Sequence, residues 1–152
     1  MNHTRRKIIH AGAGLAVFGR ARAVSAAEGE LNIALALAIK QYVGDALVRT
    51  GKVKLDVAEL VENGNTVPLS VAVDSPMTAT DHVKSIAVFN ERNPQRDVIR
   101  FALGPRSGRA LVAARIRLAT SQKLVAIAQL SDGSYWSHTA DVIVTLAACV
   151  ES

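Results

Sequence analysis

Thr66-Val67-Pro68-Leu69-Ser70-Val71-Ala72-Val73 alternates apolar and small or polar residues for its whole length. Val67, Leu69, Val71 and Val73 fall on one face, which is the period-two signature of a half-buried β-strand. Pro68 donates no backbone hydrogen bond, so the strand belongs at a sheet edge or Pro68 near a strand start. The turn cluster Glu62-Asn63-Gly64-Asn65 precedes the strand and Asp74-Ser75-Pro76-Met77-Thr78 ends it.

The same period extends in both directions. Upstream, Val53 to Val57 alternates. Downstream, strands are predicted at Val83–Phe89, Val98–Leu103, Leu111–Ala119, Lys123–Leu130 and Tyr135–Leu146, the last with an interruption near His138-Thr139. Asn90 to Pro94 and Gly104-Pro105-Arg106-Ser107-Gly108 read as connections, and Ser131-Asp132-Gly133-Ser134 as a hairpin turn, since Asp-Gly readily supplies positive φ. About seven short strands with regular turn signals predict an all-β, immunoglobulin-like antiparallel β-sandwich. The Cys–Trp–Cys pattern of antibody domains is missing, because the chain has one cysteine.

Before the strands, Leu31, Ala34, Leu35, Ala38, Ile39, Tyr42, Val43, Ala46 and Leu47 recur at three and four. This spacing predicts one helix from Glu28 to about Thr50, stopped by Gly51, with an apolar stripe facing its own domain or a partner.

Residues 1–27 have the composition of an export leader. They hold Arg5, Arg6, Lys7, Arg20 and Arg22 with no acid, a short Gly/Ala-diluted apolar run, and small residues from Ala23 to Ala27. The paired arginines point to the twin-arginine pathway, and Ser25-x-Ala27 places the mature start at Glu28, with a cut after Ala26 as the alternative. The apolar run is too short to span a bilayer core of ~30 Å, which disfavours an uncleaved anchor. The expected organisation is a removed leader, 1–27, and a single periplasmic domain, 28–152. The leader takes 5 of the 18 Lys and Arg, leaving 13 against 13 Asp and Glu. A body balanced in this way gives no argument for nucleic acid or an anionic membrane surface.

Chemistry-bearing residues are few. His82, His138, Cys149 and the scattered acids show no metal-ligand spacing, and no phosphate loop or paired-carboxylate motif occurs. Arg106, Arg109, Arg115 and Arg117 could form an anion patch, but a solvated strand face accounts for them better. The conspicuous handle is Cys149, three residues from the end of Val144-Thr145-Leu146-Ala147-Ala148-Cys149-Val150-Glu151-Ser152. A lone exported cysteine stays free, is modified, or pairs with another molecule. A dyad with His138 is disfavoured, since about eleven strand residues, roughly 30 Å, separate the two. Glu151 and the terminal carboxylate disfavour the thiolate, opposite to what a catalytic cysteine requires. A carrier thiol, activated inside each partner's site, fits better than an enzyme nucleophile or an incidental cysteine in a binding module.

Several segments together resemble one family. They are Val61-Glu62-Asn63-Gly64-Asn65-Thr66-Val67-Pro68, Val73-Asp74-Ser75-Pro76-Met77-Thr78, Asn93-Pro94, Gly104-Pro105-Arg106-Ser107-Gly108, Arg115-Ile116-Arg117-Leu118-Ala119 with Gln122, Ser131-Asp132-Gly133, and Val144-Thr145 leading to Cys149. The chain resembles SoxY, the sulfur-carrying subunit of the SoxYZ complex of thiosulfate oxidation. The resemblance implies a non-enzymatic carrier that holds pathway intermediates on Cys149 and needs no further cofactor. It implies a heterodimer with SoxZ and transient contacts with the cytochrome SoxAX, the hydrolase SoxB and a sulfane dehydrogenase. It also implies a swinging arm over 147–152. Here Ala147, Ala148, Val150 and Glu151 flank the thiol where the family's familiar arm is Gly-Gly-Cys-Gly-Gly; alanines, and the stiff Val150, restrict the backbone.

Overall fold

The computed structural model describes residues 21–147, with side chains from Asn32. Helix α1 spans Ala21–Val43, followed by β1 (Val48–Thr50), β2 (Val53–Val57), β3 (Leu60–Asn63), β4 (Val67–Val73), β5 (Val83–Asn90), β6 (Asp97–Ala102), β7 (Leu111–Ile116), β8 (Gln122–Leu130) and β9 (Tyr135–Leu146). A 3-10 turn, Pro105–Ser107, lies between β6 and β7.

The strands form a two-sheet sandwich. The larger sheet runs β1-β9-β8-β5-β6, with β3 added to β9, and the smaller runs β2-β4-β7. The seven expected strands are present, and every pairing among them is antiparallel. The expected break in β9 is absent. Two short strands join them, both parallel to β9: β1 along Tyr135–Ser137 and β3 along Ile143–Leu146. Residues 48–63 therefore run along the free edge of β9, step across to the small sheet as β2, and return. Glu62 and Asn63, read as turn residues, belong to β3. Pro68 is the second residue of β4, at the start of a central strand rather than on an edge.

The helix ends earlier than its spacing suggests. Gly44 takes φ 65° and donates to the Lys40 carbonyl at 2.8 Å, closing the helix with a left-handed residue that glycine adopts without penalty. Ala46 and Leu47 continue the three-four rhythm only in sequence; Leu47 is 76% exposed. The leader expected over residues 1–27 lies outside the described residues except for 21–27, which are helical. Among the described residues, no helix is long and apolar enough to cross a membrane.

Alternation explains the packing. Val67, Leu69, Val71 and Val73 of β4 face Ile86, Val88, Leu124, Ala126 and Val142 of the large sheet across the sandwich. The other face of the large sheet is covered by α1: Leu35, Ile39 and Tyr42 pack on Ala87, Phe89, Ile127 and Tyr135. This is why β5 reads as a nearly continuous apolar run, being buried on both faces. Burying Phe89 completely contributes about 2–3 kcal/mol by area. Tyr42 lies 5.7 Å from Phe89 and 5.8 Å from Tyr135, between ring centroids, and shares a hydrogen bond with Ser85 at 2.6 Å. Ile33 and Leu37, on the opposite face of the helix, are exposed.

Candidate functional site

Ala147 is the last described residue, and Ala148, Cys149, Val150 and Glu151 lie outside the described residues. What the structure defines is the root, the end of β9 that precedes them in sequence. β8 pairs with β9 only as far as Gln122 opposite Val142. Beyond that point the Val144 amide donates to Ser121 Oγ at 2.8 Å, so a side chain continues the ladder where the strand has ended. On the other edge, the Ile143 amide donates to the Glu59 carbonyl at 2.7 Å, and Thr145 Oγ1 to the Glu62 carbonyl at 3.2 Å. The Gly64 amide then donates to the Leu146 carbonyl at 2.8 Å. Cys149 follows Leu146 by three residues, a reach of about 10 Å when extended.

The root rests on a buried polar network. Asn93 Oδ1 accepts from the Ala119 amide at 3.0 Å and from Gln122 Nε2 at 2.8 Å, while Asn93 Nδ2 donates to the Arg117 carbonyl at 2.7 Å. Gln122 Oε1 accepts from the Arg92 amide at 2.8 Å, and Asn90 Oδ1 accepts from the Asn93 amide at 3.1 Å. Asn90 and Gln122 are buried, and no buried side-chain polar atom among the described residues lacks a partner. A network satisfied in this way fixes one arrangement of the three connections that meet here. It is coupled to the root by one residue: the Leu118 amide donates to the Gly64 carbonyl at 2.8 Å, and the Gly64 amide holds Leu146.

Beside the root is an open groove of about 430 Å³, lined among others by Arg92, Ser121, Gln122, Lys123, Asp141 and Ile143. Its charges are matched within it. Lys123 Nζ lies 2.7 Å from Asp141 Oδ1, and that hydrogen bond together with the carboxylate's charge raises the Lys123 pKa above its ordinary value. Arg92 is 4.0 Å from Glu91.

The other candidates fall elsewhere. His138 Nδ1 accepts from the Leu55 amide at 3.1 Å, stitching β9 to β2 across the seam between the sheets. It stands eight residues before Leu146, about 26 Å along an extended strand, beyond the reach of a thiol tethered three residues past Leu146. That separation disfavours a Cys149–His138 dyad. His82 is at the opposite end, where its Nδ1 lies 3.1 Å from the Thr78 carbonyl oxygen. Among the described residues, no group of three or more His, Cys, Asp or Glu is placed to hold a metal ion.

The motif segments collect at these two ends. Asn63-Gly64-Asn65, Asn93, Leu118, Gln122 and Val144 surround the arm root. Asp74 to Thr78 and Ser131 brace the far end, where buried Met77 holds φ 53° and its sulfur accepts from the Val83 amide at 3.4 Å. No sequence signal marks Ser121, and its role depends on β8 beginning one residue later, at Gln122.

Comparison with known proteins agrees with this geometry. The family model described as sulfur oxidation protein SoxY matches residues 39–149. The solved structure of the sulfur carrier protein SoxY from Chlorobium limicola f thiosulfatophilum is similar, with TM-score 0.62 and 27% identity over 74% of this chain and 96% of that one. Superoxide reductases share the fold: the neelaredoxin of Ignicoccus hospitalis matches at TM-score 0.55 and 21% identity, covering 62% of this chain and 80% of that one. The Nanoarchaeum equitans enzyme matches at TM-score 0.54 and 12% identity, covering 63% of this chain and 100% of that one. No curated protein matches the sequence.

Proposed function

The chain belongs to the SoxY family, and from that premise we propose that it is a periplasmic covalent sulfur carrier whose attachment site is Cys149. The observation that carries the reading is a family match that runs to residue 149, the position of the only cysteine. The root supports it: among the described residues the ladder runs to Leu146, so a thiol three residues on follows a fixed point.

In the proposed cycle, the Cys149 thiol and thiosulfate couple to give a cysteine S-thiosulfonate. One proton and two electrons leave, the electrons passing to a SoxAX-type cytochrome. A SoxB-type hydrolase then adds water to the terminal sulfonate sulfur, releasing sulfate and leaving a persulfide on Cys149. A sulfane dehydrogenase takes the persulfide further. SoxZ is the proposed stable partner, and the exposed apolar residues Leu60, Ile143 and Leu146 beside the root suit a permanent interface. Export by the twin-arginine pathway, with a mature start at Glu28, completes the proposal. The chain itself serves as the substrate platform on which these enzymes act.

The test is mass spectrometry after incubation with thiosulfate and the oxidising cytochrome. Adducts confined to the peptide containing Cys149 and released by a thiol reductant are expected. Loading of a Cys149→Ser variant ends the carrier reading.

A further inference from the structure

The charge balance of residues 28–152 conceals a sorting along the chain. Residues 92–117 contain seven arginines and one acid, Asp97, whereas the rest of 28–152 contains six basic residues and twelve acids. This segment comprises β6, the Pro105–Ser107 turn, β7 and their flanks. β6 is the terminal strand of the large sheet and β7 the terminal strand of the small one. The excess positive charge therefore occupies the open side of the sandwich, opposite the edge that β1 and β3 close.

Local pairing does not cancel it. Arg100 pairs with Asp97 at 2.6 Å and Arg92 approaches Glu91 at 4.0 Å. Arg106, Arg109, Arg115 and Arg117 are exposed, and among the described residues none has a carboxylate within 4.0 Å. Between these cations, Val98, Ile99, Phe101, Val112 and Ala114 are core side chains left partly uncovered. The strip runs the length of the domain. It starts at the arm root, where the Arg117 carbonyl accepts from Asn93 and the next residue bonds Gly64, and ends at Arg106 and Arg109 on the far side.

We propose that this β6–β7 edge is the docking face for a transient protein partner with an acidic contact surface, an enzyme that acts on cargo carried by the arm. The proposal rests on the carrier reading. Three features favour such an occupant. Unpaired guanidinium groups next to partly covered apolar side chains complement carboxylates and recognise them bidentately. Concentrated charge of one sign raises association rates more than it stabilises a finished complex, which suits a carrier visiting several enzymes in turn. The core of a permanent interface is depleted of charge, which points that role toward the β3–β9 side. Because the thiol reaches only about 10 Å from Leu146, an enzyme must seat beside the root, and the strip begins there.

The experiment measures association rates of the chain, purified with its stable partner, against a SoxAX-type cytochrome and a SoxB-type hydrolase from 20 to 300 mM NaCl. Arg115→Glu/Arg117→Glu and Arg106→Glu/Arg109→Glu are compared with wild type, with Lys40→Glu/Lys54→Glu as the off-strip control; Arg115→Gln/Arg117→Gln guards against misfolding. A wild-type rate falling at least about tenfold with salt is expected for one or both enzymes. Reversal at 115 and 117 should lower the low-salt rate about tenfold and flatten its salt dependence, the Gln pair should lie between, and the control should stay within about twofold. Unchanged rates in both reversal variants, an equal loss in the control, or equal competition by a random DNA duplex overturns the proposal. Single-turnover loading of Cys149 at saturating cytochrome separates the two readings. Loading with unaltered association defeats the docking face alone, whereas no loading of wild type defeats the carrier reading.

Discussion

The amide of Gly64 donates to the carbonyl of Leu146 at 2.8 Å, and it is the last backbone bond tying β9 to the sandwich among the described residues. Gly64 thereby marks the last point at which β9 is held among the described residues. Gly64→Pro removes the donor, and a loss of about 1–3 kcal/mol is expected in urea unfolding. In the wild type, hydrogen exchange should show Gly64 protected.

Ser121→Ala deletes the acceptor of the Val144 amide while leaving β8 intact. The Val144 amide should exchange roughly tenfold faster, as expected for about 1–1.5 kcal/mol. Cys149 loading should persist. An unchanged exchange rate would show that Ser121 does not hold the root.

Asn93→Ala strips three side-chain hydrogen bonds from a network that includes buried Gln122. With partners left unsatisfied, about 2–3 kcal/mol should be lost, a fall of several degrees in Tm for a domain of this size. Thermal unfolding followed by circular dichroism is the check.

His138→Ala should cost about 1 kcal/mol through the orphaned Leu55 amide and leave sulfur loading unchanged. By contrast, Cys149→Ser should alter stability by no more than about 0.5 kcal/mol and abolish loading. If His138→Ala stopped loading, a role for that imidazole in the chemistry would have to be restored.

Tyr42 supplies a pH dependence. Burial raises its pKa above the ordinary value, with the Ser85 hydrogen bond and the Arg100 guanidinium opposing. A phenol whose folded pKa is raised contributes stability that is full below the unfolded value near 10 and lost as pH rises through the folded one. Urea midpoints should fall above about pH 10, and Tyr42→Phe should remove that component of the fall. Equal alkaline slopes in both proteins would refute this.

Much of the sandwich was legible because alternation is local: seven strands carry their burial pattern in their own residues. β1 and β3 were not, since strands of three and four residues have too little period to see. Their existence depends on β9, more than 80 residues away. The helix end was misplaced because Ala46 and Leu47 preserve a rhythm that Gly44 had already broken. At the site, Cys149 is visible by being alone, and Asn93 and Gln122 were visible as motif members without a reason. The reason is a network joining three connections, which no single stretch of sequence contains.

The two parallel strands on β9 have a mechanical consequence. In the proposed carrier, an enzyme that drew the residues after Leu146 into a channel would put tension on the domain at Leu146, directed along β9. Ladder bonds lie across that direction, on the β8 edge from Tyr135 to Val142 and on the other edge at Tyr135–Ser137 and Ile143–Leu146. The load is shared in shear rather than peeled from one bond at a time. β9 is thereby placed to bear a pull from its C-terminal end.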